Sequence, residues 1–214
     1  MQTATRVEAL QTRAWVKDHA LSPDRIRGVL NRIPVEDRDA WLDLVLDVAQ
    51  VDEDGPELPR GCVPYLPCAV STILNVVSDG KVTETDVFVD VGSGVGRSLL
   101  LVHLLTGAGT IGIEVQPELI RSAKACAAGL GLRGARFVEG DAAEQVGSLM
   151  AGTVFFLYCP FSGERLQRVL AGLLDIARAR AIRVCCVDMA PLNCSWLTRL
   201  PSSSPELDVY LSDL

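Results

Sequence analysis

Val87-Phe88-Val89-Asp90-Val91-Gly92-Ser93-Gly94-Val95-Gly96 carries the strongest fold signal in the chain. The run 87–91 is apolar apart from Asp90 and mostly β-branched, and a glycine turn follows it. It is too short for an ordinary helix, which predicts a strand buried on both faces. The three glycines permit a tight turn and let a ligand approach the backbone closely. A helical pattern over 96–105 follows the turn.

Moving outward, the same alternation repeats. Strands are predicted over 110–114, 136–139, 153–158 and 182–188, with helices over 117–129 and 164–178 and a short helix near 142–148. Strand alternating with helix predicts an α/β fold, a doubly wound and mostly parallel sheet. The tail, 192–200 and 207–211, has room for two closing strands joined by a turn over 201–205, which completes seven. Upstream, the first fifty residues pattern as helices. Val7, Leu10, Ala14 and Val16 suggest one apolar face. Ser22-Pro23 is a cap and first-turn signal before Ile26, Val29 and Leu30. Pro34 opens a run whose predicted apolar face is Trp41, Leu44, Val45 and Val48. Residues 51–67, rich in Pro, Gly and acids, read as a linker or a substrate loop, and 69–77 as one more short helix. The expected organisation is a helical extension and lid over 1–80 and a ligand-binding domain over 81–214.

The 214 residues suit one domain, and 49% apolar content is enough for a core. The net charge of −7 argues against a protein that lives on phosphate backbones, which needs a basic stripe. Nucleic acid is therefore not an expected partner. Seven cysteines at irregular spacing and two histidines make neither a disulfide framework nor a metal site. The cysteines read as small buried hydrophobes in a reducing compartment. With no apolar leader pattern and no run long enough to span a bilayer, the expected location is the cytoplasm, away from membranes.

Ligands of such sheets bind outside the carboxyl ends of the strands, at the switch point. A pyrophosphate-binding turn wants G-x-G-x-x-G, which needs glycine at position 97, where this chain has Arg97. Asp90 is also a poor neighbour for pyrophosphate and suits a ligand bearing an ammonium and a sulfonium. Two more acids end the next two predicted strands. Glu114 can accept from both hydroxyls of a ribose. Asp141 can accept from an adenine amino group while amides at the next helix start, from Ala142 onward, meet the ring nitrogens, or it can simply cap that helix. Three acids at successive strand ends around one glycine loop is the rarer arrangement.

The block Phe88–Gly96, containing Asp90, Gly92, Ser93, Gly94 and Gly96, resembles motif I of the telomeric-silencing type of histone lysine methyltransferase, within the seven-strand S-adenosyl-L-methionine-dependent methyltransferases. Ile111-Gly112-Ile113-Glu114 and Glu139-Gly140-Asp141 resemble its next two donor-binding stations. Glu114-Val115-Gln116-Pro117-Glu118-Leu119 is similar to a segment of small lysine methyltransferases acting on membrane ATP-synthase subunits. The resemblance implies S-adenosyl-L-methionine as cofactor, with Val115 and Ala142 at its adenosine, and Tyr65-Leu66-Pro67 as the segment that folds over it.

At the end of the fourth strand stands Tyr158-Cys159-Pro160-Phe161. Methyltransferases acting on planar base or amide nitrogens carry Asn or Asp, then Pro-Pro and an aromatic residue. Here Pro160 and Phe161 fit, Tyr158 replaces the acceptor side chain and Cys159 the first proline. The lysine methyltransferases it resembles carry an Asn pair where this chain has Leu157 and Tyr158. Tyr158 and Phe161 are the candidate catalytic residues, the first orienting an amine and the second walling a lysine-like channel, or both pack under the loop. The expected activity is methylation of an amine, foremost a protein lysine. The alternatives are methylation of a small metabolite, or a donor-binding regulatory protein without catalysis.

Overall fold

A computed structural model describes residues 3–18, 22–48, 58, 62–159 and 162–213. Seven strands form one sheet: β1 (Val87–Val91), β2 (Gly109–Glu114), β3 (Ala135–Glu139), β4 (Val154–Tyr158), β5 (Arg183–Val187), β6 (Leu197–Leu200) and β7 (Leu207–Ser212). Their order is β3-β2-β1-β4-β5-β7-β6, parallel except for β7, which runs antiparallel to both neighbours. The chain winds outward from β1 in one direction and resumes at β4 in the other. The crevice between the carboxyl ends of β1 and β4 is thus the switch point. The alternating and closing elements agree with the sequence reading, although the first closing strand is shorter than 192–200.

Eight α-helices are described: α1 (Thr3–Asp18), α2 (Pro23–Arg32), α3 (Arg38–Leu46), α4 (Val70–Asp79), α5 (Arg97–Thr106), α6 (Pro117–Gly129), α7 (Ala142–Gln145) and α8 (Gly163–Ala177). Period-two alternation along β1 and β4 sends Phe88 and Phe156 to one face and Val89, Val91, Phe155 and Leu157 to the other. The first face joins a core with α1 to α6, and the second packs on α7 and α8. Helix α5 is buried on every side, sandwiched between the sheet and the N-terminal helices, so its near-continuous leucines have no solvent face.

Two of the expected N-terminal faces are corrected. Helix α1 buries Thr5, Ala9, Thr12 and Val16, while Val7 and Leu10 stand half exposed and Ala14 is exposed. Small residues let α1 lie close to α3, and polar anchors fix its rotation. The Thr5 hydroxyl donates to Asp37 Oδ2 at 2.9 Å and Arg13 donates to the Val45 carbonyl at 2.8 Å. Helix α3 buries Leu42 and Leu46 beside Trp41 and Val45, leaving Leu44 and Val48 at the margin of the core. Both its faces are apolar, so periodicity alone could not choose between them.

Candidate active site

The turn after β1 is built by its own backbone. The Gly92 and Ser93 amides both donate to the Ile113 carbonyl at 2.9 Å, and the Gly96 amide donates to the Ser93 carbonyl at 2.8 Å. Gly92, Gly94 and Gly96 all adopt positive φ, at 90°, 53° and 80°. The turn therefore demands glycine three times. Tyr65 lies directly on it: a Cβ at Gly94 would fall 2.2 Å from Cε2 of the Tyr65 ring.

Beside this turn opens a cavity of about 360 Å³, within the usual range of small-molecule sites, roughly 300–1,000 Å³. Its floor is Gly92, Ile113, Glu114, Val115, Gly140, Asp141 and Ala142, from the carboxyl ends of β1, β2 and β3. Its roof is Leu58 and the segment Cys62, Val63, Pro64, Tyr65 and Leu66, all from the expected 51–67 loop. Tyr158 and Cys159 close the end nearest β4. Of the expected binding residues, Gly92, Glu114, Val115, Asp141, Ala142, Tyr65 and Tyr158 thus meet on one surface.

The rest stand behind it. Gly94 is covered by the Tyr65 ring, and Gly96 faces Phe137 and Ala123. Ser93 is buried, its hydroxyl without a partner among the described residues and turned toward β2, where a Cβ at Gly112 would meet its Oγ at 2.5 Å. Ser93 was expected on the ligand, and it does not line the cavity. Asp90 is only 3% exposed, on the same sheet face as Phe88, and no hydrogen bond reaches its carboxylate among the described residues. Burial, reinforced by the nearby Glu114 carboxylate, pushes the Asp90 carboxyl up to about 8. A buried carboxyl without a donor is costly when ionised, and a cation in the cavity would relieve it.

Glu114 is buried and braced by backbone: Oε2 accepts from the Gly94 amide and Oε1 from the Gln116 amide, each at 2.9 Å. Its remaining lone pairs are left for a ligand. Asp141 caps α7, its Oδ1 accepting from the Ala143 amide at 2.9 Å, and its Oδ2 pairs with Arg165 of α8. The capping role weighed for Asp141 in the sequence is realised, and Arg165 is a neighbour that the sequence did not suggest.

At the β4 end, Tyr158 is half buried and stacks on Phe156, ring centroids 6.4 Å apart and 6° from parallel. Burial pushes its hydroxyl above the ordinary value, and Cys68, Asp188, Cys159 and Glu206 push the same way. Among the described residues no cation opposes them. Cys159 (φ 40°) and Asp188 (φ 53°) occupy left-handed backbone at the ends of adjacent strands. Phe161, with Pro160, lies outside the described residues. Asp188 and Glu206 went unnoticed in the sequence because their approach depends on β7 returning beside β5, where the Asp188 amide donates to the Glu206 carbonyl.

No family model matches the chain, and no curated protein sequence matches it either. Solved structures do. An RNA methyltransferase from Salinibacter ruber, in complex with S-adenosyl-L-homocysteine, is 24% identical with a TM-score of 0.54, over 69% of this chain and 92% of that one. A putative methyltransferase from Escherichia coli is 19% identical with a TM-score of 0.53, covering 72% and 88%. Precorrin 8w decarboxylase from Methanobacterium thermoautotrophicum is 20% identical with a TM-score of 0.50, covering 75% and 96%. The chain has the mostly parallel seven-strand α/β fold, of the Rossmann-like methyltransferase type, that these structures share.

Proposed function

We infer that the chain is an S-adenosyl-L-methionine-dependent methyltransferase acting on an amine. One observation carries the reading: three acids end three successive strands around a glycine turn, and the first of them, Asp90, is buried with no donor among the described residues. That carboxylate suits a ligand with an ammonium and a sulfonium, and suits pyrophosphate badly. Glu114, held in place by the Gly94 and Gln116 amides, suits a ribose with both hydroxyls free. Asp141 and Ala142 suit the adenine. The S-adenosyl-L-homocysteine bound in the Salinibacter ruber structure is the product of such a donor and agrees with this chemistry.

Bound there, S-adenosyl-L-methionine supplies an electrophilic methyl group that a lone pair displaces in line from sulfur. This chain's residues contribute alignment and exclusion of water rather than a catalytic triad. The roof from Cys62 to Leu66 shields the cavity, and Tyr65 presses the glycine turn into shape. Tyr158 offers its hydroxyl to the acceptor. The acids Asp188 and Glu206 near it favour an approaching cation over a phosphate, which supports an amine, foremost a lysine side chain, over nucleic acid.

Calorimetry tests the donor half: S-adenosylhomocysteine should bind regardless of chelator, and NAD and FAD should not. Tight NAD binding would overturn the reading of the glycine turn. A lysate incubated with methyl-labelled donor tests the acceptor half. Label in protein bands supports the lysine reading, label in small molecules points to a metabolite amine, and label in neither to a donor-binding regulator.

A further inference from the structure

Asp141 stands on the cavity wall at the end where the purine of the inferred donor would lie. Its carboxylate is held from two sides. The Ala143 amide takes Oδ1 from within α7, and the Arg165 guanidinium takes Oδ2 from the first turn of α8. The pair is well shielded, the side chains being 13% and 22% exposed. Helix α7 is a single turn, Ala142–Gln145, and so short a helix does not hold its own cap rigidly. The terminal torsion of an aspartate is soft, so one amide bond leaves the carboxylate free to turn. The Arg165 contact removes that freedom, and it ties α7 to α8, on which it packs.

A carboxylate has about four acceptor sites, of which these two bonds use one on each oxygen. The sites left face a cavity whose other walls at this end are Ile113, Leu119, Gly140 and Ala142. Cys62 hangs over the same corner, close enough for Arg165, Asp141 and Glu114 all to act on its thiol. The ligand group that such a site takes is a planar N–H donor. Among the described residues the Arg165 Nε is buried without a partner, and the hydrogen bond the guanidinium makes goes to Asp141.

We propose that Arg165 is a positioning residue: by locking Asp141 it sets the site's preference for a purine bearing an exocyclic amino group over one bearing a carbonyl. This rests on the donor reading given above. A carbonyl oxygen at that place would face the fixed carboxylate with no proton between them, and polar sites reject such a ligand strongly.

The test is binding of S-adenosylhomocysteine and of S-inosylhomocysteine, its 6-oxo counterpart, measured by calorimetry on four proteins. The unmodified chain should prefer the adenosyl compound by about tenfold or more, the scale of one hydrogen bond to a charged acceptor. Asp141→Asn should abolish the preference. Arg165→Gln should weaken adenosyl binding roughly tenfold yet leave inosyl binding within about twofold, so that the preference collapses. Arg165→Lys, which keeps the charge without the fork, should recover part of it, and it carries the test if the Gln variant fails to fold. Equal loss for both compounds would mean that Arg165 merely supports the fold, and would overturn the proposal. An unmodified chain that binds both equally would overturn it too while leaving the donor site standing. Binding of neither would overturn the donor reading along with it.

Discussion

The carboxyl ends of β1 to β3 floor the cavity and that of β4, with β5 beside it, closes its other half, and the two halves are built differently. In the first half, backbone does most of the work. Amides of Gly92, Ser93, Gly94 and Gln116 are all paired, and Glu114 and Asp141 are each held at both oxygens. In the second half, Cys159 and Asp188 sit in left-handed backbone, and among the described residues the Tyr158 hydroxyl makes no hydrogen bond, its ring stacking on Phe156. Rigid elements suit a ligand that never changes, and a lightly held rim suits an acceptor that enters and leaves. Residues in such sparsely populated conformations persist where surrounding structure enforces them, and they cluster at functional sites.

The contrast breaks most visibly at Gly94. Gly94→Val places a β-branched residue at φ 53° and drives its Cβ into the Tyr65 ring. Donor-product affinity should fall by about 100-fold or more while circular dichroism remains that of a folded protein. Calorimetry that shows unchanged affinity would remove the turn from the site. Glu114→Ala should cost about 1–3 kcal/mol of donor affinity, and in addition lower the melting temperature, because two amides lose their acceptor. A drop in stability with donor binding intact would make Glu114 a brace of the turn and nothing more.

Tyr158→Phe sharpens the other half. The ring and its stacking on Phe156 remain, and only the hydroxyl goes. Turnover of the identified acceptor should fall about tenfold with donor affinity and melting temperature unmoved, the pattern of a contact made in the transition state. Full activity would reduce Tyr158 to packing and shift attention to the roof segment.

The smallest effect concerns Asp90, whose carboxyl is raised to about 8 by burial and by Glu114. Its unfolded value is near 3.9, so between about pH 4 and 8 the folded chain binds the extra proton. Stability from this group is therefore fully present below pH 4 and is lost as pH rises through 8. The melting-temperature advantage of Asp90→Asn over the unmodified protein should widen steadily from near pH 5 to near pH 8.5. A constant difference across that range would mean that Asp90 does not titrate there.

How much of this was legible in the sequence follows the same division. The strand-to-helix alternation, the glycine turn and the strand-end acids are local signals, and each lands within a residue or two of its element. Tyr65 was legible only through resemblance, since nothing in its own neighbourhood says that it will lie on Gly94. Arg165, Asp188 and Glu206 were not legible, because each approaches Asp141 or Tyr158 from an element remote in sequence. The face of α1 was misread for a physical reason: hydrophobic periodicity selects Val7 and Leu10, whereas close packing with hydroxyl anchoring selects Thr5, Ala9 and Thr12.

Arg97 stands where a dinucleotide-binding turn would have its third glycine. Its guanidinium, 5% exposed, donates from Nε to Asp43 at 2.7 Å, from Nη1 to the Cys68 carbonyl at 2.7 Å and from Nη2 to Asp39 at 3.2 Å. Asp39 in turn accepts from the Val70 amide, the first of α4. Protein engineers who sever the chain near residue 80 to obtain a minimal catalytic fragment would strand that cation in an apolar layer. Such a fragment should be recovered only as aggregate. Supplying residues 1–80 as a separate polypeptide, expressed together with the remainder, should bring it back into solution, with the arginine as the plug and the two aspartates as its socket.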